Sequence, residues 1–230
     1  NRALVFSASS VAPLCELAVQ ISASDVQPSA MELLSAKVDE SQVEITDCGE
    51  GQYVLALTLL GEEETVEWQI TEALRIGTEF QHAVLSPEAP TNFWQAYRAS
   101  ETAPAWDLIL QLNFLPSHLD PVLHDLSSVF PESPLMMLRA HAASGIVRIH
   151  AQSQSLEWFK PRQRPKRIAS LRQQVQESGG QMVILRAPHD LKSHLDVWGE
   201  VGETAFLMRA LKEKFDPRSV LNPGRFVVGI

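Results

Sequence analysis

The chain has 230 residues, 45% hydrophobic and 20% charged, which supplies apolar material for one large domain or two small ones and excludes disorder and fibrous repeats. A formal net charge of −9 and a pI near 5.3 exclude a protein whose main task is to hold a nucleic-acid backbone, since that affinity comes from excess Lys and Arg. Cys15 and Cys48 lie too far apart in sequence for a local zinc knuckle or redox pair, which fits a reducing cytoplasm, and no apolar run reaches the roughly 18–20 residues of a membrane span. Asn1 opens a strand pattern with neither a signal peptide nor a starting Met, so the chain reads as an excised or processed piece.

In chain order, hydrophobic periodicity predicts a strand over Ala3–Ser7, an amphipathic helix over Val11–Ser24 with Leu14, Leu17, Ala18 and Ile21 on one face, and a strand over Ser29–Ser35. A polar, acidic connection from Lys37 to Gly51 follows. Tyr53–Leu60 reads as a buried strand, Glu63–Gly77 as a helix with acids in its first turn, and Gln81–Ser86 as a strand. After a short helix around Phe93–Ser100 the order begins again. Leu108–Leu115 is a strand, Leu119–Val129 a helix, Leu135–Ala142 and Ile146–Ala151 strands, Ile168–Ser178 a helix, and Gln181–Ala187 a strand.

The same six elements therefore recur, offset by about 104 residues, in element order and spacing with little identity of sequence. Each set has the β-α-β-β-α-β order of a ferredoxin-like unit, an antiparallel sheet with both helices on one face. The expected fold is α+β. Duplicated units, about 1–88 and 105–188, form one broad antiparallel sheet with helices mainly on one face, and 189–230 supplies a C-terminal helix and tail. The uncovered face of such a sheet is either solvated or the wall of a cavity that something else closes.

From Gly202 the pattern is helical to Phe215, with Phe206, Leu207, Ala210 and Leu211 as an apolar stripe, and Asp216-Pro217 stops it. Asn222-Pro223-Gly224 is a turn, and Arg225-Phe226-Val227-Val228 reads as extended. The run from Leu207 to Pro217, Leu-Met-Arg-Ala-Leu-Lys-Glu-Lys-Phe-Asp-Pro, followed by Leu221-Asn222-Pro223-Gly224-Arg225-Phe226, closely resembles the end of FAD-linked oxidases of the vanillyl-alcohol oxidase type. Within that family it is most similar to the FAD-binding E subunits of glycolate oxidases. Gln27-Pro28-Ser29-Ala30-Met31-Glu32-Leu33-Leu34 resembles the second strand of the family's C-terminal domain, and Phe93-Trp94 with Arg98 resembles its Trp-containing helix.

The resemblance implies a cap domain, 1–230, whose N-terminal FAD-binding half is absent from these residues, and it places Asn222 and Gly224 on the cofactor side. It implies a flavin-dependent oxidoreductase that takes a hydride from C2 of a small 2-hydroxy acid onto FAD. The implied partners are a catalytic D-type flavoprotein subunit and an iron–sulfur subunit. Its location would be the cytoplasm, with a peripheral position at the inner face of the membrane open through those partners. Alone, the chain is expected to be inactive and to hold no stoichiometric FAD. The alternative is a non-catalytic interaction subunit of the same complex.

Metal-dependent relatives carry a Gly-His-x-Gly-Asp-Gly-Asn-x-His hairpin. Here the matching stretch, Ala140 to Arg148, keeps His141 and Gly145 but places Arg148 at the second His position, and no Glu-His-Gly follows. One imidazole and a fixed cation do not make a zinc site, so no metal is expected. With Ala142–Gly145 as the loop, Arg139 lies opposite Arg148, and His141 and His150 share their face. Opposed cations are unfavourable unless an anion lies between them, so this face either receives a negative group, such as a substrate carboxylate, a flavin phosphate or an acidic partner loop, with Arg139, His141, Arg148 and His150 as candidate substrate ligands, or holds splayed, solvated arginines or a register one residue off. Arg98 and Thr102 match the family's Arg and Thr that grip the carboxylate, while the accompanying Lys position corresponds to Leu110. Finally, Lys160 to Arg167 holds five basic residues in eight, with Pro161 and Pro165 expected to keep it extended. It reads either as a solvated loop or as a docking site for an acidic subunit or anionic membrane surface.

Overall fold

The computed structural model describes residues 1–35, 53–85, 94–95, 97–99, 106–119, 123, 136–152 and 164–230. The first unit runs β1 (Arg2–Ala8), α1 (Val11–Ser22), β2 (Ala30–Ser35), β3 (Tyr53–Leu59), α2 (Glu63–Ile76) and β4 (Gln81–Leu85). There follow β5 (Leu108–Asn113), β6 (Met136–His141), β7 (Ile146–Ala151), α3 (Arg164–Glu177) and β8 (Gln181–Arg186), then a short α4 (His189–Lys192) and the C-terminal α5 (Ala205–Phe215). The eight strands form one sheet in the order β4-β1-β3-β2-β6-β7-β5-β8, antiparallel at every pairing. Outward from the central β2–β6 seam, each half has its own second, third, first and fourth strand in turn.

Strand alternation divides the sheet into two faces. On one lie Leu4, Phe6, Leu33, Leu55, Leu57, Leu59, Leu108, Leu110, Leu112, Val147 and Ile149, all buried in a single core. The apolar positions of α1 (Leu14, Leu17, Ala18, Ile21), of α2 (Val66, Ile70, Ala73) and of α3 (Ile168, Leu171, Val175) recur at helical spacing and close that face. Fully burying one such side chain contributes about 1.5–3 kcal/mol. Leu110, which the sequence resemblance sets at a Lys position, belongs to this core, so its apolar character follows from packing.

Strand and helix ends lie within a few residues of those expected from periodicity, and Ile146–Ala151 coincides. The β6–β7 hairpin has the expected register, with Arg139 opposite Arg148 and Ala140 opposite Val147. Its loop requires Gly145, which has φ 66°, accepts the Phe114 N–H at 2.9 Å, and leaves no room for a Cβ, which would fall 1.9 Å from the Phe114 carbonyl oxygen. The expected helix at Leu119–Val129 and the acidic connection Lys37–Gly51 lie mainly or wholly outside the described residues.

Two expectations are corrected. The basic run is not extended throughout, since α3 begins at Arg164 and takes Pro165, Lys166 and Arg167 into its first turn. Proline is tolerated there because its missing N–H would have no intrahelical acceptor. Lys160 to Gln163 lie outside the described residues. The Arg225–Val228 tail also is not extended: Val227–Gly229 is a 3-10 turn with Val228 at φ 52°, closed by Phe226 N–H bonding to the Ile230 carbonyl at 3.2 Å. No helix among the described residues is long and apolar enough to cross a membrane.

Candidate functional site

The sheet face away from α1, α2 and α3 changes character across its width. On the β1–β3–β2 side it is apolar: Val5, Leu34, Val54 and Ala56 pack beneath Trp94 and Tyr97. Trp94 Nε1 donates to Thr58 Oγ1 at 2.6 Å, and its ring meets Tyr97 edge-on at 5.2 Å. These bonds pin the helical residues 94–95 and 97–99 against the sheet.

Across the β2–β6 seam the same face becomes polar, with Glu32, Arg139 and His150 buried and His141 and Arg148 part-exposed. Glu32, only 1% exposed, accepts a hydrogen bond from the Tyr97 hydroxyl at 2.9 Å and pairs through Oε1 with Nδ1 of His141, its direct neighbour in register. Arg139, also buried, lays its guanidinium 4.0 Å above the Tyr97 ring. Arg148, directly opposite, turns the other way and donates from Nε to Gln111 Oε1 at 3.1 Å. The two arginines therefore splay toward opposite sides of the hairpin.

His150, one alternation beyond Arg148, is completely buried, and neither ring nitrogen has a hydrogen-bond partner among the described residues. Trp106 closes over it edge-on at 6.0 Å, held in place by Arg186, whose Nη1 donates to the Trp106 carbonyl at 2.8 Å. Burial, and then the positive charges of Arg139, Arg148 and Arg186, push the His150 pKa down to about 3. His150 is consequently neutral near pH 7.

Of the residues singled out in the sequence, the fold brings Arg139, His141, Arg148 and His150 together on this face. Arg98 is not among them: it is exposed, while its helical neighbours Trp94 and Tyr97 turn to the sheet. Thr102 lies outside the described residues. Asn222 and Gly224 sit elsewhere, exposed in the C-terminal tail with φ 46° and 70°. Asn222 lines a groove of about 400 Å³ together with Met208, Leu211, Lys212, Leu221 and Phe226. Among the described residues no cluster of three His, Cys, Asp or Glu side chains is placed to hold a metal.

The tail is held by Asp216. Its carboxylate accepts the backbone N–H groups of Val220 and Leu221, each at 2.9 Å, and pairs with Lys212 Nζ at 2.7 Å. The Lys212 bond, with those amides, pulls its pKa down to about 2. Lys212 also donates to the Leu221 carbonyl at 2.6 Å, so Asp-Pro is both a helix stop and a clamp.

Reading the residues alone missed Glu32, Tyr97, Gln111 and Trp106 as parts of the site. The signal for Glu32 was present: a carboxylate in the otherwise apolar run Ala30-Met31-Glu32-Leu33-Leu34 must find a partner if the strand is buried. Tyr97 and Trp106 gave no comparable signal, because what they cap depends on strand order.

Residues 199–226 match the family described as FAD linked oxidases, C-terminal domain, a span that contains the tail motif from Leu207 to Phe226. A search of curated proteins gives no match. The fold is similar to that of p-cresol methylhydroxylase with substrate bound, at 13% identity and a TM-score of 0.62, covering 97% of this chain and 52% of that one. It is similar also to 4-ethylphenol oxidase from Gulosibacter chungangensis in its isoeugenol complex, at 11% identity and a TM-score of 0.58, covering 97% and 53%. Alkyldihydroxyacetonephosphate synthase matches at 13% identity and a TM-score of 0.50, covering 94% and 42%. The chain thus spans about half the length of these proteins. Residues 199–226 carry the sequence pattern of the FAD linked oxidases, C-terminal domain, and the chain as a whole has the fold seen in p-cresol methylhydroxylase and 4-ethylphenol oxidase.

Proposed function

We propose that this chain is the C-terminal domain of a flavin-dependent oxidoreductase of the vanillyl-alcohol oxidase type, and that the polar half of its helix-free sheet face binds an anionic substrate beside the flavin. The observation that carries the reading is the buried neutral His150 among Arg139, Arg148 and Arg186. Among the described residues neither ring nitrogen of His150 has a hydrogen-bond partner, and a carboxylate brought to that face would be attracted by the nearby guanidinium groups. The identical strand order of the two halves supports a duplicated ferredoxin-like origin for the sheet.

The described residues suit one side of a flavin. They offer a broad sheet face with the buried Arg139, the part-exposed Arg148 and a buried imidazole, and they offer no glycine-rich cradle for a pyrophosphate. FAD would therefore be held mainly by residues outside this domain, with Asn222 and Gly224 as tail candidates. When bound, the flavin supplies the two-electron acceptor. This chain's residues orient the substrate, neutralise its carboxylate and keep water from the reacting carbon.

A small 2-hydroxy acid of the glycolate type is the substrate class that the sequence resemblance favours, with D-type flavoprotein and iron–sulfur subunits as partners. A second reading, an interaction subunit without chemistry of its own, draws support from α5. It exposes Phe206, Leu207, Leu211 and Phe215, an apolar surface suited to another polypeptide. The experiment is to express the complete protein, measure bound FAD, and add glycolate or a longer 2-hydroxy acid without oxygen. Bleaching of the flavin is expected; bound flavin that no 2-hydroxy acid reduces would favour the interaction role.

A further inference from the structure

α5 contributes nothing to the core of the sheet. None of its eleven residues is buried, and no residue from 199 to 226, the span that carries the family's sequence pattern, belongs to the apolar core. Yet eight of the fourteen large apolar side chains that are exposed among the described residues fall between Phe206 and Val228. We propose that α5 and the tail dock against the polypeptide that supplies the flavin-binding half of the complete protein, through an apolar face rimmed with cations. The proposal rests on the flavin-dependent reading given above and names a partner surface within it.

The helix has two sides. Met208 and Lys212 are half-buried and line the groove of about 400 Å³ with Leu221 and Phe226 of the tail. Lys212 bonds both Asp216 and the Leu221 carbonyl, and Asp216 accepts the Val220 and Leu221 amides, so helix and tail move as one unit. On the other side Leu207, Leu211 and Phe215 recur every four residues in one row, with Phe206, Ala210 and Lys214 in the row beside it. Phe206 is 65% and Phe215 75% exposed, so neither ring serves packing within this domain. An apolar face of this width on a surface helix marks a contact with another polypeptide.

Charge narrows the choice of occupant. From Ala205 to Ile230 there are five Lys and Arg residues against two acids, in a chain whose net charge is −9. Two copies meeting through this same face would set like charges together, because a two-fold interface places one patch against itself. A surface both apolar and acidic fits instead, and Lys214, which ends an otherwise apolar row, calls for a carboxylate opposite it.

Length supplies the polypeptide. The folds of p-cresol methylhydroxylase and 4-ethylphenol oxidase match 97% of this chain, while the chain covers only 52% and 53% of theirs. Each of those chains therefore carries about as much polypeptide again beside this fold. A domain that covers one side of a flavin has to be held to the residues that grip the other side, and the α5 face offers that attachment.

The test uses the complete, flavin-loaded protein. A zero-length carbodiimide crosslink, mapped by mass spectrometry, is expected between Lys214 and an Asp or Glu of the flavin-binding half in the same molecule. Hydrogen exchange gives a second readout. The α5 amides are expected to exchange about 10²-fold or more slowly than in a Leu211→Ser, Phe215→Ser double variant, with the sheet amides equally protected in both. Both replaced side chains are exposed in this domain, so the variant keeps its own core. α5 amides that exchange alike in parent and variant overturn the docking. The choice of partner is overturned where Lys214 crosslinks to no residue of the flavin-binding half, or to a second copy or separate subunit instead. Retention on phosphatidylglycerol vesicles that the double variant loses makes the face a membrane contact and overturns it too. Complete protein that holds no FAD overturns the flavin-dependent reading, whereas bound FAD beside an unprotected α5 overturns the docking alone.

Discussion

Leu33 and Glu32 are neighbours in β2, equally inaccessible to solvent, and point to opposite faces of one sheet. Leu33 packs within the apolar core, as expected where burial is the main source of stability. Around Glu32 lie Tyr97, His141, Arg139 and, beyond the hairpin, Arg148 and His150. Burying such groups is costly, and well-packed apolar residues would serve folding as well or better. The difference separates a face that holds the domain together from a face that, in the proposed function, is kept polar for a ligand.

Substitutions on the two faces should therefore behave differently. The largest effect on stability is expected on the helix side, at the fully buried Leu57 of central β3. Leu57→Ala should lose about 2–5 kcal/mol in denaturant unfolding, and a loss below about 1 kcal/mol would contradict the assignment of that face as the core.

On the polar face, His150→Leu replaces an imidazole that has no hydrogen-bond partner among the described residues by an apolar side chain, and stability at pH 7 should be unchanged or higher. Its clearer signature is acid sensitivity. The folded-state pKa is pushed from the ordinary 6.5 to about 3, so below pH 6.5 the unfolded chain binds a proton that the folded one refuses. The parent's unfolding midpoint should fall as pH drops from about 6.5 toward 3, and the variant should lose that component. Parallel pH profiles would contradict it.

A smaller, local effect is expected in the tail. Asp216→Asn leaves one acceptor oxygen where the carboxylate has two, so one of the Val220 and Leu221 amides should exchange hydrogen faster, with the sheet amides unaffected. Because the Asp216 pKa is depressed, its contribution is complete above the ordinary carboxylate range and is lost as pH falls through about 2. Amide exchange at these two residues against pH checks this, and exchange that is unchanged in the variant would mean that the clamp is not holding the turn.

The fold was legible to the extent that it rests on local periodicity. Alternation in Ile146–Ala151 and the four-residue spacing of Leu14, Ala18 and Ser22 need only neighbours in sequence. The hairpin register was equally local, so opposing Arg139 and Arg148 followed from the loop alone. The environment of those arginines was not local. Glu32 and His141 are more than a hundred residues apart and meet only because β2 pairs with β6 across the two units, a seam that no short-range pattern specifies. The tail turned back at Val227–Gly229 for the same kind of reason: its closing contacts include the Trp198 ring, which packs on Phe226 at 5.3 Å and donates to the Arg225 carbonyl at 3.2 Å. The proline-containing start of α3 illustrates a different limit. A proline excludes the interior of a helix and permits its first turn, so composition alone did not place the boundary.

The central claim of the proposed function is that the buried Arg139 on the helix-free face serves a ligand and not the fold. Arg139→Met, examined in the complete flavin-loaded protein by thermal unfolding and by glycolate titration side by side, tests it most directly. Unfolding should stay within about 1 kcal/mol of the parent while glycolate affinity falls by about tenfold or more. Unchanged affinity together with a large loss of stability would make the polar face a structural feature and contradict the claim.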